Sequence, residues 1–150
     1  MIFRQLFEPV SSTYTYLLAC ETTGQAMLID PVVNAIDRDL QVLQSLRLTL
    51  ALTLDTHIHA DHITAARKLR EEVGSRIAHP AIDRLPCADL GVEEGVALQV
   101  GSVRIEPIFT PGHTDGCATF VLDDEAALLT LGRDPTCALR NACSGHGKTR

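Results

Sequence analysis

The chain has 150 residues, of which 45% are hydrophobic, and a formal net charge of −6. This length suits one domain with its own core. The acidic balance argues against nucleic-acid binding, and no stretch approaches the ~20 apolar residues of a membrane span. Because the N-terminus shows no signal-peptide pattern, we expect a cytoplasmic protein.

The first half alternates strand and helix patterns. Two apolar runs, residues 14–20 and 26–29, flank a turn signal and predict a hairpin. Residues 35–47 then repeat apolar side chains three and four positions apart, which predicts a helix with Asn34 as its N-cap. Residues 50–54 return to a strand pattern, so a strand–helix–strand unit is predicted.

A second helix is predicted after residue 62, with Gly74 at its end. Its apolar face would be formed by Ile63, Ala66, Leu69 and Val73. A short strand is predicted at residues 76–78, and a loop at residues 79–94. Apolar runs then predict two more hairpins, from residues 96–100 with 103–109 and from residues 119–122 with 126–131. The fold class is therefore mixed α/β, with helices packed outside the strands.

The richest chemistry follows the strand at residues 50–54. There the chain reads H-x-H-x-D-H, with His57, His59, Asp61 and His62. Imidazole and carboxylate groups together suit zinc, iron and similar divalent ions. One surface histidine would mean little, but three of the chain's six histidines fall within six positions. This concentration indicates a metal-binding motif.

The local geometry predicts how the motif is used. In an extended segment His57 and His59 point to the same side, Asp61 continues that row, and His62 points the other way. His113 follows the strand at residues 103–109 and would close the site from a second loop. Two histidines and a carboxylate suit mononuclear Fe(II), whereas more ligands and two zinc ions would generate a hydroxide for hydrolysis. The residues alone leave both possibilities open.

Four separated stretches resemble one family in the same order along the chain. They are residues 3–18, 28–32, 55–64 and 110–117. Together they resemble the persulfide dioxygenases of the metallo-β-lactamase superfamily, from about residue 2 to about residue 131. The resemblance implies an αββα sandwich and one Fe(II) per chain, with zinc as the alternative metal. It also implies oxidation of glutathione persulfide by O₂, which gives sulfite and glutathione.

The resemblance also implies roles for individual residues. His57 and His113 would ligate iron, while His59, Asp61 and His62 would orient the ligands and shape bound water. The family's third ligand is an aspartate in a Thr-Gly-Asp step. Here residues 130–134 read Thr-Leu-Gly-Arg-Asp, so Asp134 is the candidate third ligand in a shifted register, and an ordinary tail aspartate is the alternative.

The similarity ends near residue 131. We therefore expect a partial metallo-β-lactamase-like domain at residues 1–131 and a divergent, disordered basic tail at residues 132–150. A sandwich with an incomplete second half would leave one sheet face uncovered, and we expect self-association or a homodimer through that face.

Two alternatives to the dioxygenase are kept. The first is a glyoxalase II-type hydroxyacylglutathione thioester hydrolase, which usually has a bulky aromatic residue before the Asp-His pair and glycines after it. Ala60, Ile63 and Thr64 occupy these positions and argue against that branch. The second is a non-catalytic remnant whose metal site is incomplete.

Overall fold

A six-stranded mixed sheet forms the larger layer of the protein. The computed structural model describes residues 1–122 and 127–129. The strand order is β1-β2-β3-β4-β5-β6, antiparallel from β1 to β3 and parallel from β3 to β6. These strands are β1 Ile2–Glu8, β2 Thr13–Ala19, β3 Gln25–Ile29, β4 Thr49–Leu54, β5 Arg76–Pro80 and β6 Leu90–Val92.

A four-stranded antiparallel sheet forms the second layer, in the order β10-β9-β8-β7. Its strands are β7 Leu98–Val100, β8 Val103–Phe109, β9 Ala118–Leu122 and β10 Ala127–Leu129. The predicted hairpins β2–β3, β7–β8 and β9–β10 are all confirmed. The parallel pairing of β3 with β4 confirms the predicted strand–helix–strand unit.

Two apolar cores hold the layers together. Between the sheets, Leu18, Ile29 and Leu54 of the first sheet pack with Ile105 and Phe120 of the second. The opposite face of the first sheet packs against the helices through Leu17, Leu28, Leu43 and Leu69. The described residues therefore form a helix–sheet–sheet arrangement, and the predicted α/β class is confirmed.

The first helix, α1 Ile36–Ser45, begins later than its sequence pattern predicts. A 3₁₀ turn at Val33–Ala35 precedes it, and Ala35 is its N-cap. The prediction of Asn34 as the cap is therefore wrong, because Asn34 lies inside this turn and α1 has no side-chain cap hydrogen bond. The acidic residues of the first turn, Asp37 and Asp39, instead lie near the positive end of the helix dipole.

The second helix, α2 Ala66–Val73, ends as predicted. Gly74 adopts the left-handed conformation, with φ of 74°, and donates a hydrogen bond to the Arg70 carbonyl. The predicted apolar face is only half right. Ala66 and Leu69 are buried, but Ile63 precedes the helix and is 72% exposed, and Val73 is 44% exposed.

The sequence patterns missed two strands. β1 is an exposed edge strand with polar residues at both faces, and its apolar signal is correspondingly weak. The predicted loop at residues 79–94 is wrong in part, because it contains the end of β5, a 3₁₀ turn at Ala81–Asp83 and the three-residue β6. A strand this short is too brief for alternation to be detected.

The predicted tail, residues 132–150, lies outside the described residues, so its boundary stays a prediction.

Among residues 1–122 and 127–129, neither α-helix is long and apolar enough to cross a bilayer. Exposed aromatic rings occur on β1. Phe3 stacks against Tyr16 and is 38% exposed, and Phe7 contacts Tyr14 at a tilt and is 49% exposed.

Phe120 is fully buried between the two sheets. We expect Phe120→Ala to lower the free energy of unfolding by about 3–5 kcal/mol, because it removes buried apolar surface and leaves a cavity. Val10→Ala, at a position 81% exposed, should change it by less than about 0.5 kcal/mol. Urea unfolding of both variants measures the difference, and similar small losses would contradict a core centred between the sheets.

Candidate metal centre

The candidate site lies where the two sheets meet. The Asp55–His62 segment follows β4 of the first sheet, and the Thr110–Cys117 loop follows β8 of the second. The backbone N–H of Ala118 donates to the Thr56 carbonyl at 3.0 Å, and Thr110 N–H donates to the Cys117 carbonyl at 2.9 Å. The first bond joins the start of β9 to the segment that carries His57, and the second closes the loop that carries His113.

Four imidazoles gather at this junction. The ring centroids of His57 and His59 lie 4.1 Å apart, those of His57 and His113 5.1 Å apart, and those of His59 and His62 4.2 Å apart. His57 is buried, while His113 is exposed. The predicted proximity of His57, His59 and His113 is therefore present in the structure.

A buried carboxylate that the sequence patterns did not single out as a site residue organises this cluster. Asp30 follows β3 and adopts a left-handed conformation with φ of 50°. Its carboxylate accepts hydrogen bonds from the Thr56 backbone N–H at 2.7 Å and the Thr56 hydroxyl at 2.8 Å. It also lies 3.1 Å from Nε2 of His59. The one sequence signal that could have identified Asp30 as a site residue is its position, with a proline after it, directly at the end of a buried apolar strand.

The Thr56 hydroxyl selects the tautomer of His57. Its single proton is donated to Asp30, so towards Nδ1 of His57, 2.9 Å away, the hydroxyl oxygen can only accept. Nδ1 must then carry the ring proton, and Nε2 keeps its lone pair. Burial, followed by the charge of His59, lowers the pKa of His57 to about 4. A neutral imidazole with a free nitrogen is the form that binds a metal ion.

Asp30 and His59 form a buried charge pair. Burial acts to raise the pKa of Asp30, but the hydrogen bonds and charge of His59 and the Thr56 hydrogen bonds hold it below its usual value. Burial also acts to lower the pKa of His59, but the hydrogen bond and charge of Asp30 raise it. Nε2 of His59 is therefore engaged with a carboxylate, which ties this ring to β3.

Asp55 is a second buried carboxyl group beside Asp30. Burial and the Asp30 charge raise its pKa to about 7. The Thr64 hydroxyl donates to it at 2.8 Å, which connects the end of β4 to the segment before α2. Two carboxylates so close together would repel if both were ionised, so the environment favours the protonated form of Asp55 more than that of an exposed aspartate.

The trio His59, Asp61 and His62 could also hold a cation. Their ligand atoms lie within 4.8 Å of one another, and Nδ1 of His62 is 3.1 Å from the Asp61 carboxylate. The prediction that His62 points away from the row is wrong, because residues 57–63 bend instead of running extended. Within the described residues, buried Nε2 of His62 has no hydrogen-bond partner, as suits a metal-binding nitrogen.

Asp134 lies outside the described residues, as do Thr130 and residues 131–133 of the same step. The roles of all six candidate residues stay predictions: His57, His113 and Asp134 as metal ligands, and His59, Asp61 and His62 around them. The donor set itself fits a divalent metal, because it combines imidazoles with carboxylates at the ends of rigid strands.

Comparison with known proteins establishes the family. The model of the metallo-beta-lactamase superfamily matches residues 9–130. The chain belongs to the metallo-β-lactamase superfamily. The predicted fold is therefore confirmed. The structure is similar to the crystal structure of ETHE1 from Myxococcus xanthus, with a TM-score of 0.79 and 48% sequence identity. The match covers 83% of this chain and 55% of that chain.

Within the superfamily, the chain is similar to proteins of more than one kind. It is 42% identical over 132 residues to the human mitochondrial persulfide dioxygenase ETHE1. The aligned region covers 87% of this chain and 51% of that protein. It is also 34% identical over 122 residues to a hydroxyacylglutathione hydrolase of Rhodospirillum rubrum. That aligned region covers 80% of this chain and 47% of that protein. The chain spans about half the length of these curated relatives.

The Asp30–His59 pair makes stability depend on pH. Because the pKa of His59 is raised on folding, the pair contributes fully below the unfolded imidazole pKa of about 6.5. Its contribution is lost as pH rises through the raised pKa. We expect Asp30→Asn to cost on the order of 3 kcal/mol at about pH 5.5, because it leaves a buried imidazolium unpaired. At about pH 8.5 only the Thr56 hydrogen bonds are disturbed, and the cost should be smaller.

Urea unfolding of the metal-free protein at the two pH values measures this difference. Asp37→Asn, on the exposed first turn of α1, is the matched control and should show little effect at either pH. An equal cost of Asp30→Asn at both pH values would show that His59 is not charged beside Asp30.

Proposed function

We propose that this chain derives from, and acts as, a persulfide dioxygenase that oxidises glutathione persulfide with O₂. The observation that carries the proposal is the pairing of His57 with His113 while Nε2 of His59 is engaged by Asp30. This arrangement favours one metal ion between the two strand-end loops. The 42% identity to the human persulfide dioxygenase supports the same reaction.

The overall reaction balances with water as a reactant. Glutathione persulfide, O₂ and water give glutathione and sulfurous acid, which ionises to sulfite at neutral pH. The sulfur–sulfur bond breaks, the persulfide loses four electrons overall, and O₂ accepts them. The outer sulfur gains three oxygen atoms, two supplied by O₂ and one by water, and the inner sulfur leaves as the thiol.

A single Fe(II) held by His57, His113 and Asp134 would supply the redox chemistry that lets O₂ react with the persulfide. The surrounding residues prepare this site. Thr56 fixes the protonated nitrogen of His57, so that Nε2 keeps its lone pair for a metal ion. Around it, His59, Asp61 and His62 would hold water and orient the ligands.

The hydrolase is the second candidate, and the trio His59, Asp61 and His62 favours it. Three ligand atoms within 4.8 Å of one another could hold a second ion, and a pair of zinc ions would generate a hydroxide that attacks a thioester. The similarity to hydroxyacylglutathione hydrolases is consistent with this chemistry. Ala60, Ile63 and Thr64 argue against it, as does the engagement of His59 by Asp30.

We also propose a homodimer or self-association through an uncovered sheet face. The exposed rings of Phe3 and Phe7 at the edge of the first sheet offer further apolar surface for it. The cytoplasm stays our proposed compartment. The human relative is named mitochondrial, which is a statement about that protein.

Oxygen uptake with glutathione persulfide tests the proposed activity. The chain reconstituted with Fe(II) should consume O₂ and release sulfite, and it should leave hydroxyacylglutathione thioesters intact. Thioester hydrolysis without O₂ uptake would assign the chain to the hydrolases. No turnover of either substrate would identify a non-catalytic remnant.

Three substitutions connect this activity to the metal. We expect His57→Ala and His113→Ala to abolish iron binding and O₂ uptake together, because each removes one of the proposed ligands. Asp134→Ala should weaken iron binding at least about tenfold, and an unchanged affinity would exclude Asp134 as the third ligand. His146→Ala, which removes an imidazole from the predicted tail, is the matched control and should bind iron as tightly as the unaltered chain.

A further inference from the structure

A fifth imidazole is buried behind the site. His79 lies near the end of β5, with its side chain 3% exposed, inside the segment whose sequence predicted a loop. β5 pairs with β4 in parallel, and Asp55 N–H donates to the Ala78 carbonyl at 3.2 Å. This register places His79 beside the segment that carries His57.

His79 also faces the 3₁₀ turn that follows β5. Nδ1 of His79 lies 3.3 Å from Oδ2 of Asp83, which is 14% exposed at the end of this turn. Neither of these two buried atoms has a hydrogen-bond partner within the part of the chain that the structure describes. They face one another as an imidazole–carboxylate pair.

Asp83 in turn packs against the loop that carries His113. A Cβ atom placed on Gly116 would lie 2.7 Å from both carboxylate oxygens of Asp83 and 3.0 Å from its Cγ. Real Cβ atoms do not approach so closely, so a larger residue at this position would force the Asp83 carboxylate to move. Gly116 is buried and lies three residues after His113.

These contacts form one continuous connection between the two loops. It runs from the end of β4, beside which β5 holds His79, through Asp83 to the backbone of Gly116. We propose that His79 and Asp83 are positioning residues that define the separation of the His57 and His113 side chains. The proposal rests on the proposed function in one respect, namely that these two histidines bind the metal.

The expected size of the effect follows from ligand geometry. A metal site needs its ligand atoms held within about 0.5 Å, by side chains that are themselves fixed. Loss of residues that support metal ligands typically costs 10–100-fold in metal affinity. His79 and Asp83 lie outside the proposed ligand set, so we expect them to act on the site by placing the two loops.

A double-mutant cycle tests the contact between Asp83 and Gly116, with Co(II) as a spectroscopic probe of the metal site. Gly116→Ala should weaken Co(II) binding at least about tenfold and alter its visible spectrum, because the new methyl group meets the carboxylate. Asp83→Ala alone should also weaken binding. The double variant should bind better than the product of the two single losses predicts, since the clash is gone. Independent, multiplicative losses would overturn the proposal.

The role of His79 is tested by comparing two substitutions, one of which keeps a hydrogen-bond donor at this position. His79→Leu should weaken Co(II) binding at least about tenfold, whereas His79→Gln should recover most of the affinity, because its amide can still donate to the Asp83 carboxylate. Equal losses in both variants would show that packing alone matters. Asp37→Ala, on the exposed face of α1, is the control and should leave Co(II) affinity and spectrum unchanged.

A measurement on the metal-free chain separates this proposal from the proposed function. The imidazole NMR resonances of both His57 and His113 should shift in Asp83→Ala and in His79→Leu, and neither should shift in Asp37→Ala. Unchanged resonances in the first two variants would overturn the positioning role. A chain that binds no metal but shows these shifts would refute the proposed function and leave the positioning role intact.

Discussion

The buried carboxylate of Asp30 is the constraint on which the rest of the site depends. A charge in this position is costly unless it is paired and hydrogen-bonded, and Asp30 satisfies that requirement with the backbone and hydroxyl of Thr56 and the ring of His59. These bonds fix the direction in which the chain leaves β4. They also set the tautomer of His57 through the Thr56 hydroxyl. One carboxylate at the end of β3 thus orients two histidines on the neighbouring strand's loop.

The second requirement is that two sheets meet at the right separation. His57 belongs to the first sheet and His113 to the second, so the distance between them depends on how the sheets pack. The inter-sheet core determines this packing broadly through side chains such as Ile105 and Phe120. The hydrogen bond from Ala118 to Thr56, and the contacts of His79 and Asp83, determine it locally. A metal held by both loops would therefore also bind the two sheets together.

Much of this arrangement could be predicted from the sequence, because local signals were strong. Apolar runs bounded by turn residues predict β4 and the three hairpins, and Gly74 marks the end of α2. The meeting of His57 with His113 was predictable, since both follow strands at a common edge. The role of Asp30 was not, because its partner Thr56 lies 26 residues away and is reached only through the parallel pairing of β3 with β4. The directions of His62 and His79 likewise depend on a bend and on a strand register that composition does not reveal.

The metal content of the full chain tests the central claim most directly. The chain should be reconstituted without oxygen in equal amounts of Fe(II) and Zn(II), and then freed of unbound metal and analysed. A mononuclear site between His57 and His113 predicts about one iron per chain. Two zinc ions per chain would contradict it and favour a dinuclear hydrolytic site that includes His59, Asp61 and His62. The absence of stoichiometric metal would also contradict it, and would show that the fold persists without the chemistry of its family.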